Sequence, residues 1–253
     1  MKSCTWLVGA AAALFVVSSG PVVADVGFRG TPAFVATDAA TGAAVRVYRG
    51  DGRISLEVDH PSVQIRKQLF DGQSTTLLRS GGDEIAFTLT RESIGVSSPA
   101  GQIQGGRANP ERVPQARAML AASPLVARAA ALIGRMQLPG NTPLRQTLFS
   151  TRALLLAFAG EDAGAVREVE RSTRALTLTA PRLRFTRTSA TADPGECWDT
   201  YSKEAIAIYM EYEDCMNNEQ WWDVIGTQTC LWLYEVQAIG AFAWWLSCVG
   251  LNG

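Results

Sequence analysis

The sequence predicts an α+β fold that closes on a disulfide-stapled helical hairpin, and three observations predict it. Apolar and polar residues alternate at a period of two from about 30 to 105. Beyond that stretch, three pairs of a polar capping residue and a proline each open an alanine- and leucine-rich run. The last 57 residues then hold Cys197, Cys215, Cys230 and Cys248 at palindromic spacings of 18, 15 and 18.

The alternating region is the antiparallel sheet. Val45, Val47, Ile54, Leu56, Val58, Val63, Ile65, Leu77, Ile85, Phe87, Leu89, Ile94 and Val96 recur at strand period. Turn chemistry separates them at residues 49–53, 59–62, 70–73, 80–83 and 98–101. Strands about ten residues apart with short turns between them form a meander, here of six or seven strands. One face is expected to be apolar, and the other to carry Arg46, Glu57, Arg66, Arg79, Thr88 and Thr90.

Asn109-Pro110, Ser123-Pro124 and Thr142-Pro143 each place a cap before a proline at the first helical position. The runs they open reach about Ala122, Gln137 and Ala159, the second stopped by Leu138-Pro139-Gly140 and the third by Gly160. A fourth, more polar helix is expected over 161–176. Together these helices cover one face of the meander.

The tail is read from its cysteines. Eighteen residues make about five helical turns, so Cys197 and Cys215 share a face with Tyr201, Ala205, Ile208 and Tyr212. Cys230 and Cys248 likewise share a face, with Leu233 or Tyr234, Gln237, Ala241 and Trp244 between them. Pairing within one helix would have to bridge about 27 Å, against the roughly 4.4–6.8 Å a disulfide allows. Crossed pairing needs parallel helices, which the short connection forbids. That leaves the nested pairs Cys197 with Cys248 and Cys215 with Cys230. The absence of any Cys-x-x-Cys step argues against zinc, and neither a metal site nor a cofactor is expected.

Lys2, the apolar stretch 6–17 and the small residues up to Val22-Val23-Ala24 form a secretory signal, expected to be cleaved after Ala24. The mature chain then enters an oxidising compartment, secreted or periplasmic, where four cysteines pair. Arginine outnumbers lysine 20 to 3, a bias of GC-rich, here bacterial, genomes. The expected organisation is a body over 25–185, a linker over 186–195 and the hairpin over 196–253. Residues 25–192 carry 21 basic against 14 acidic side chains, whereas residues 193–253 carry Lys203 alone against ten acids. Opposite halves in one chain point to the acidic tail docking on the basic body rather than to nucleic acid.

All six tryptophans of the mature chain lie after residue 196. Trp221, Trp222, Trp232 and Trp245 are the candidate contact surface, toward a protein or a membrane. The second tail helix is apolar on nearly all sides, which calls for burial by protein or lipid. Its charge-free run 236–253 approaches the length of a membrane span, but Gln237, Ser247, Asn252 and the tethering disulfide oppose insertion.

Other chemistry in the sequence is thin. Asp199, Glu204, Glu211, Glu213 and Asp214 could be paired carboxylates of a hydrolase, although a solvated helix face is their ordinary meaning. His60, the single histidine, sits in the turn Asp59-His60-Pro61-Ser62, where neighbours in sequence do not converge as a triad does. Arg49-Gly50-Asp51 is hairpin-turn chemistry. The expected function is therefore non-enzymatic binding. The order of signal, arginine-rich region and cysteine- and tryptophan-rich tail is also similar to that of secreted bacteriocin precursors, which implies release of a membrane-active hairpin as the alternative. The acidity of the hairpin opposes it, since peptides that seek anionic membranes are basic.

Overall fold

The structure, a computed structural model, describes residues 30–50, 52–138, 142–178, 193–218 and 227–250. The expected signal segment, most of the expected 186–195 linker, and Trp221 and Trp222 lie outside the described residues.

Period-two alternation and two-residue turns produce an eight-stranded antiparallel meander in sequence order. The strands are β1 (Phe34–Thr37), β2 (Ala44–Gly50), β3 (Arg53–His60), β4 (Val63–Phe70), β5 (Gln73–Ser80), β6 (Asp83–Leu89), β7 (Ser93–Ser98) and β8 (Gly101–Gly106). The count exceeds the expected six or seven because the two edge strands escape the pattern. β1 has four residues, and β8 reads Gly-Gln-Ile-Gln-Gly-Gly, with one large apolar side chain. Between β4 and β5 the turn residues Asp71 and Gly72 both have positive φ, 47° and 69°, the mirror-image turn whose twist matches that of a hairpin.

After a 3₁₀ turn at Pro110–Arg112 come α1 (Val113–Ala121), α2 (Pro124–Arg135), α3 (Thr142–Phe158) and α4 (Asp162–Leu178). Gly160, at φ 83°, ends α3. The Glu161 N–H reaches back to Leu156 O at 2.8 Å and the Gly160 N–H to Ala157 O at 3.1 Å, a left-handed cap that only glycine adopts without strain.

α1 packs on β7 and β8, and α2 on β4, β5 and β6. Their buried side chains meet the strand face of Val45, Val58, Ile65, Ile85, Phe87 and Val96 in one apolar core. The opposite strand face carries cross-strand ion pairs, Arg46 with Asp59, Arg66 with Glu57 and Arg79 with Glu84. This is the α+β layering that the alternation and the helix caps imply.

The tail forms α5 (Pro194–Asn217) and α6 (Thr227–Cys248). α5 begins inside the expected linker, because Asp193-Pro194 repeats the cap-and-proline signature of the earlier helices. The Asp193 side chain accepts from the Gly195 N–H at 3.2 Å. α6 packs against both α5 and α3, and most of its buried residues belong to the same core as those of the body.

Candidate functional site at the stapled hairpin

The helices of the hairpin are joined at both ends. Cys197 bonds Cys248 and Cys215 bonds Cys230, with Cα separations of 5.8 and 5.7 Å. Two disulfides are compatible with an oxidising environment. Between them Tyr201, Ala205, Ile208 and Tyr212 are buried, facing α6. From α6 the seam takes Tyr234, 5.5 Å from Tyr212 ring to ring, and Trp245, 6.5 Å from Tyr201.

Trp244, expected in that seam, is instead 43% exposed. Successive helical residues differ by about 100°, and Trp245 fills the inward position against Tyr201, which turns Trp244 out. Trp232 and Trp245 are buried. The expectation that both present a contact surface is thereby corrected, since both lie inside, Trp245 in the seam against Tyr201 of α5.

The buried phenols respond to this setting. Burial pushes the Tyr201 hydroxyl well above its usual range, and its O–H donates to Gln146 Oε1 on α3. Burial also raises Tyr212, with the phenols of Tyr209 and Tyr234 adding to it. Tyr209 is pushed up to about 12 by desolvation and by its hydrogen bond with Glu213. Tyr234 shares a 2.8 Å hydrogen bond with Ser172 of α4, another tie between hairpin and body.

A further tie, between β4 and α6, has no counterpart in the sequence-based expectations. Lys67 follows Val63 and Ile65 in the same alternation, so it points into the core, and Glu235 comes down from α6 to meet it at 2.7 Å. Their side chains are 1% and 0% exposed. Burial holds the Lys67 ammonium below the ordinary lysine value, against the opposing pull of Glu235. Thr76, the cross-strand neighbour, accepts a further hydrogen bond from Lys67 Nζ at 3.1 Å. Glu235 Oε1 has no hydrogen-bond donor among the described residues. The signal available in the sequence was a lone lysine on an apolar alternation and a lone acid on an otherwise uncharged stretch of helix. Arg49 donates to Ser247 near the end of α6.

The acids of α5 stand elsewhere. Asp199, Glu204, Glu211, Glu213 and Asp214 are all exposed. Asp199 pairs with Lys203 at 2.6 Å on its own helix, and Glu211 accepts from Gln237. Among the described residues these five acids form an outward-facing acidic surface, with no ion pair to an arginine of the body. The seat is made by apolar packing and by Lys67–Glu235.

His60 ends β3, paired with Val63 across the turn to β4. Its Nδ1 accepts the Ser62 N–H at 3.1 Å and lies 2.7 Å from the Ser62 hydroxyl, while Asp59 is held by Arg46. The three groups are thus not strung together as a nucleophile, base and orienting acid. Among the described residues no three His, Cys, Asp or Glu side chains converge as metal ligands do.

No single described helix is long and apolar enough to cross a membrane. The segments Pro110–Ala121 and Pro124–Arg135, bent by 63°, pass that test only together, and Leu125, Val126, Ala129, Ala130, Leu132 and Ile133 of the second are buried within the protein. Comparison with family models, with curated proteins and with solved structures finds no match.

Proposed function

We propose that the chain is a secreted or periplasmic, non-enzymatic interaction protein that presents the outer face of its stapled hairpin to a protein partner. One observation carries this reading. Of the five large apolar side chains left exposed among the described residues, three are on the hairpin: Ile206 at 40%, Met210 at 60% and Trp244 at 43%. Phe70, one of the others, lies under the guanidinium of Arg53.

A tryptophan and a methionine on a rigid, cross-linked support are the residue types that anchor interfaces. The same hairpin carries the exposed acids of α5, so the partner surface expected is an apolar hollow with basic side chains beside it. Anionic lipid would be repelled by the same acids.

The packing of α6 weighs against the alternative of a released membrane-active hairpin. Release uncovers the apolar side of α3 and leaves Lys67 without its counter-charge inside the core.

The test is a photo-crosslinking residue placed at 210 and at 244, with Thr75 on the far sheet face as control, in the secreted or periplasmic fraction of the producing cell. An adduct of one common mass from both hairpin positions and not from 75 supports the reading. No adduct, or equal adducts from all three positions, removes it.

A further inference from the structure

Where α2 ends, beside the first half of α3 and the later part of α4, the surface folds into a cleft of about 570 Å³. Arg135, Gln137, Arg145, Phe149 and Arg171 line it. The guanidinium carbons of Arg145 and Arg171 lie over the ring of buried Phe149, at 5.6 and 5.7 Å from its centroid. Cation–π attraction to one ring holds both heads in place, and Arg135 adds a third positive charge from the last turn of α2.

Such an array would ordinarily be neutralised by carboxylates, and those nearby are committed elsewhere. Glu168 is bonded by Arg152, which also donates to Ala130 O at 3.0 Å. Asp38 accepts from the N–H groups of Gln137 and Leu138 at 2.8 and 2.9 Å and from Thr41. Burial pushes the Asp38 carboxyl up, but these hydrogen bonds outweigh it and hold the group below the usual carboxylate value. Among the described residues, no acid forms an ion pair with Arg135, Arg145 or Arg171, and Arg145 Nε is shut off from solvent without an acceptor. The cleft also adjoins the first turns of α3, the positive end of that helix.

We propose that this cleft binds a small oxyanion of the phosphate class carrying at least two negative charges. A guanidinium fork takes two oxygens of a phosphoryl group at once, and a tetrahedral anion offers oxygens to three forks where a single carboxylate satisfies one. The volume lies in the range of small-ligand sites, about 300–1,000 Å³. The site is on the body, remote in sequence from the hairpin, and stands independently of the interaction reading.

Isothermal titration of the whole mature protein with pyrophosphate and inorganic phosphate tests it, with citrate as the polycarboxylate comparison. The expected result is saturable pyrophosphate binding with a dissociation constant on the order of 1 mM or tighter. Arg145→Gln and the more exposed Arg171→Gln should each weaken it by about tenfold, the loss of one charge-assisted contact, with thermal midpoint and near-UV circular dichroism unchanged. The proposal is overturned by the absence of saturable binding, by binding that Arg171→Gln leaves intact, or by citrate binding more tightly than pyrophosphate.

Discussion

The inner and outer sides of the hairpin each hold a lysine–carboxylate pair at nearly the same distance, with opposite consequences. Lys67 and Glu235 meet at 2.7 Å with 1% and 0% of their side chains exposed, whereas Lys203 and Asp199 meet at 2.6 Å with 74% and 66% exposed. Separation therefore does not rank them; solvent does. Water screens the outer pair and would solvate either partner alone, while inside the core each charge depends on the other.

Removing one inner partner is the sharpest way to break this comparison. Glu235→Ala should lower unfolding free energy by about 3–5 kcal/mol, measured in urea, because an uncompensated ammonium is left in the core. Lys67→Met combined with Glu235→Leu should recover most of that loss, since apolar replacement of a buried pair is often neutral or better. If the double variant is as unstable as the single, the site is needed for its shape rather than its charge balance.

Opening the smaller staple comes next. Cys215→Ser with Cys230→Ser frees a 15-residue separation and should cost about 3 kcal/mol in the chain-entropy account. A much smaller loss in the same denaturation would mean that the seat on α3 alone already confines the hairpin.

The seam tyrosines give a smaller effect, confined to alkaline pH. In the unfolded chain a tyrosine ionises near pH 10, whereas in the fold Tyr201 and Tyr212 are raised and Tyr209 reaches about 12. Their contribution is fully present below pH 10 and is lost as pH rises through the folded values. Absorbance at 295 nm at pH 11 should thus show less phenolate in folded than in urea-unfolded protein. Equal signals would place these phenols in water.

Lys203→Ala should move stability by less than about 0.5 kcal/mol, which a thermal melt will barely resolve. A loss comparable to that of Glu235→Ala would erase the distinction between the two sides.

What was legible in the sequence was what repeats or caps. Two-residue turns at ten-residue intervals exposed the meander, and prolines behind polar caps exposed the helices. Cysteine spacing exposed the antiparallel hairpin because five-turn intervals bring only one nested pairing into reach. Lys67 and Glu235 were not legible as partners, since nothing local tells a lysine on a strand which helix will cover it. Trp244 and Trp245 exchanged their expected places because one residue of helical rotation separates inside from outside, a margin finer than composition resolves. Arg135, Arg145 and Arg171 come from three helices and converge only after those have packed. Their number in the sequence signalled a basic body, not a cleft.

The meander has a consequence for the order in which the molecule assembles. Each strand pairs with its immediate successor, so the sheet can zip from the N-terminal side as the chain emerges. The seat of α6 must wait for the last residues to arrive. Until then the apolar side of α3 and the Lys67 ammonium have nothing over them. The body is at its most aggregation-prone in that interval, and both disulfides, which join α5 to α6, can close only after those residues have arrived.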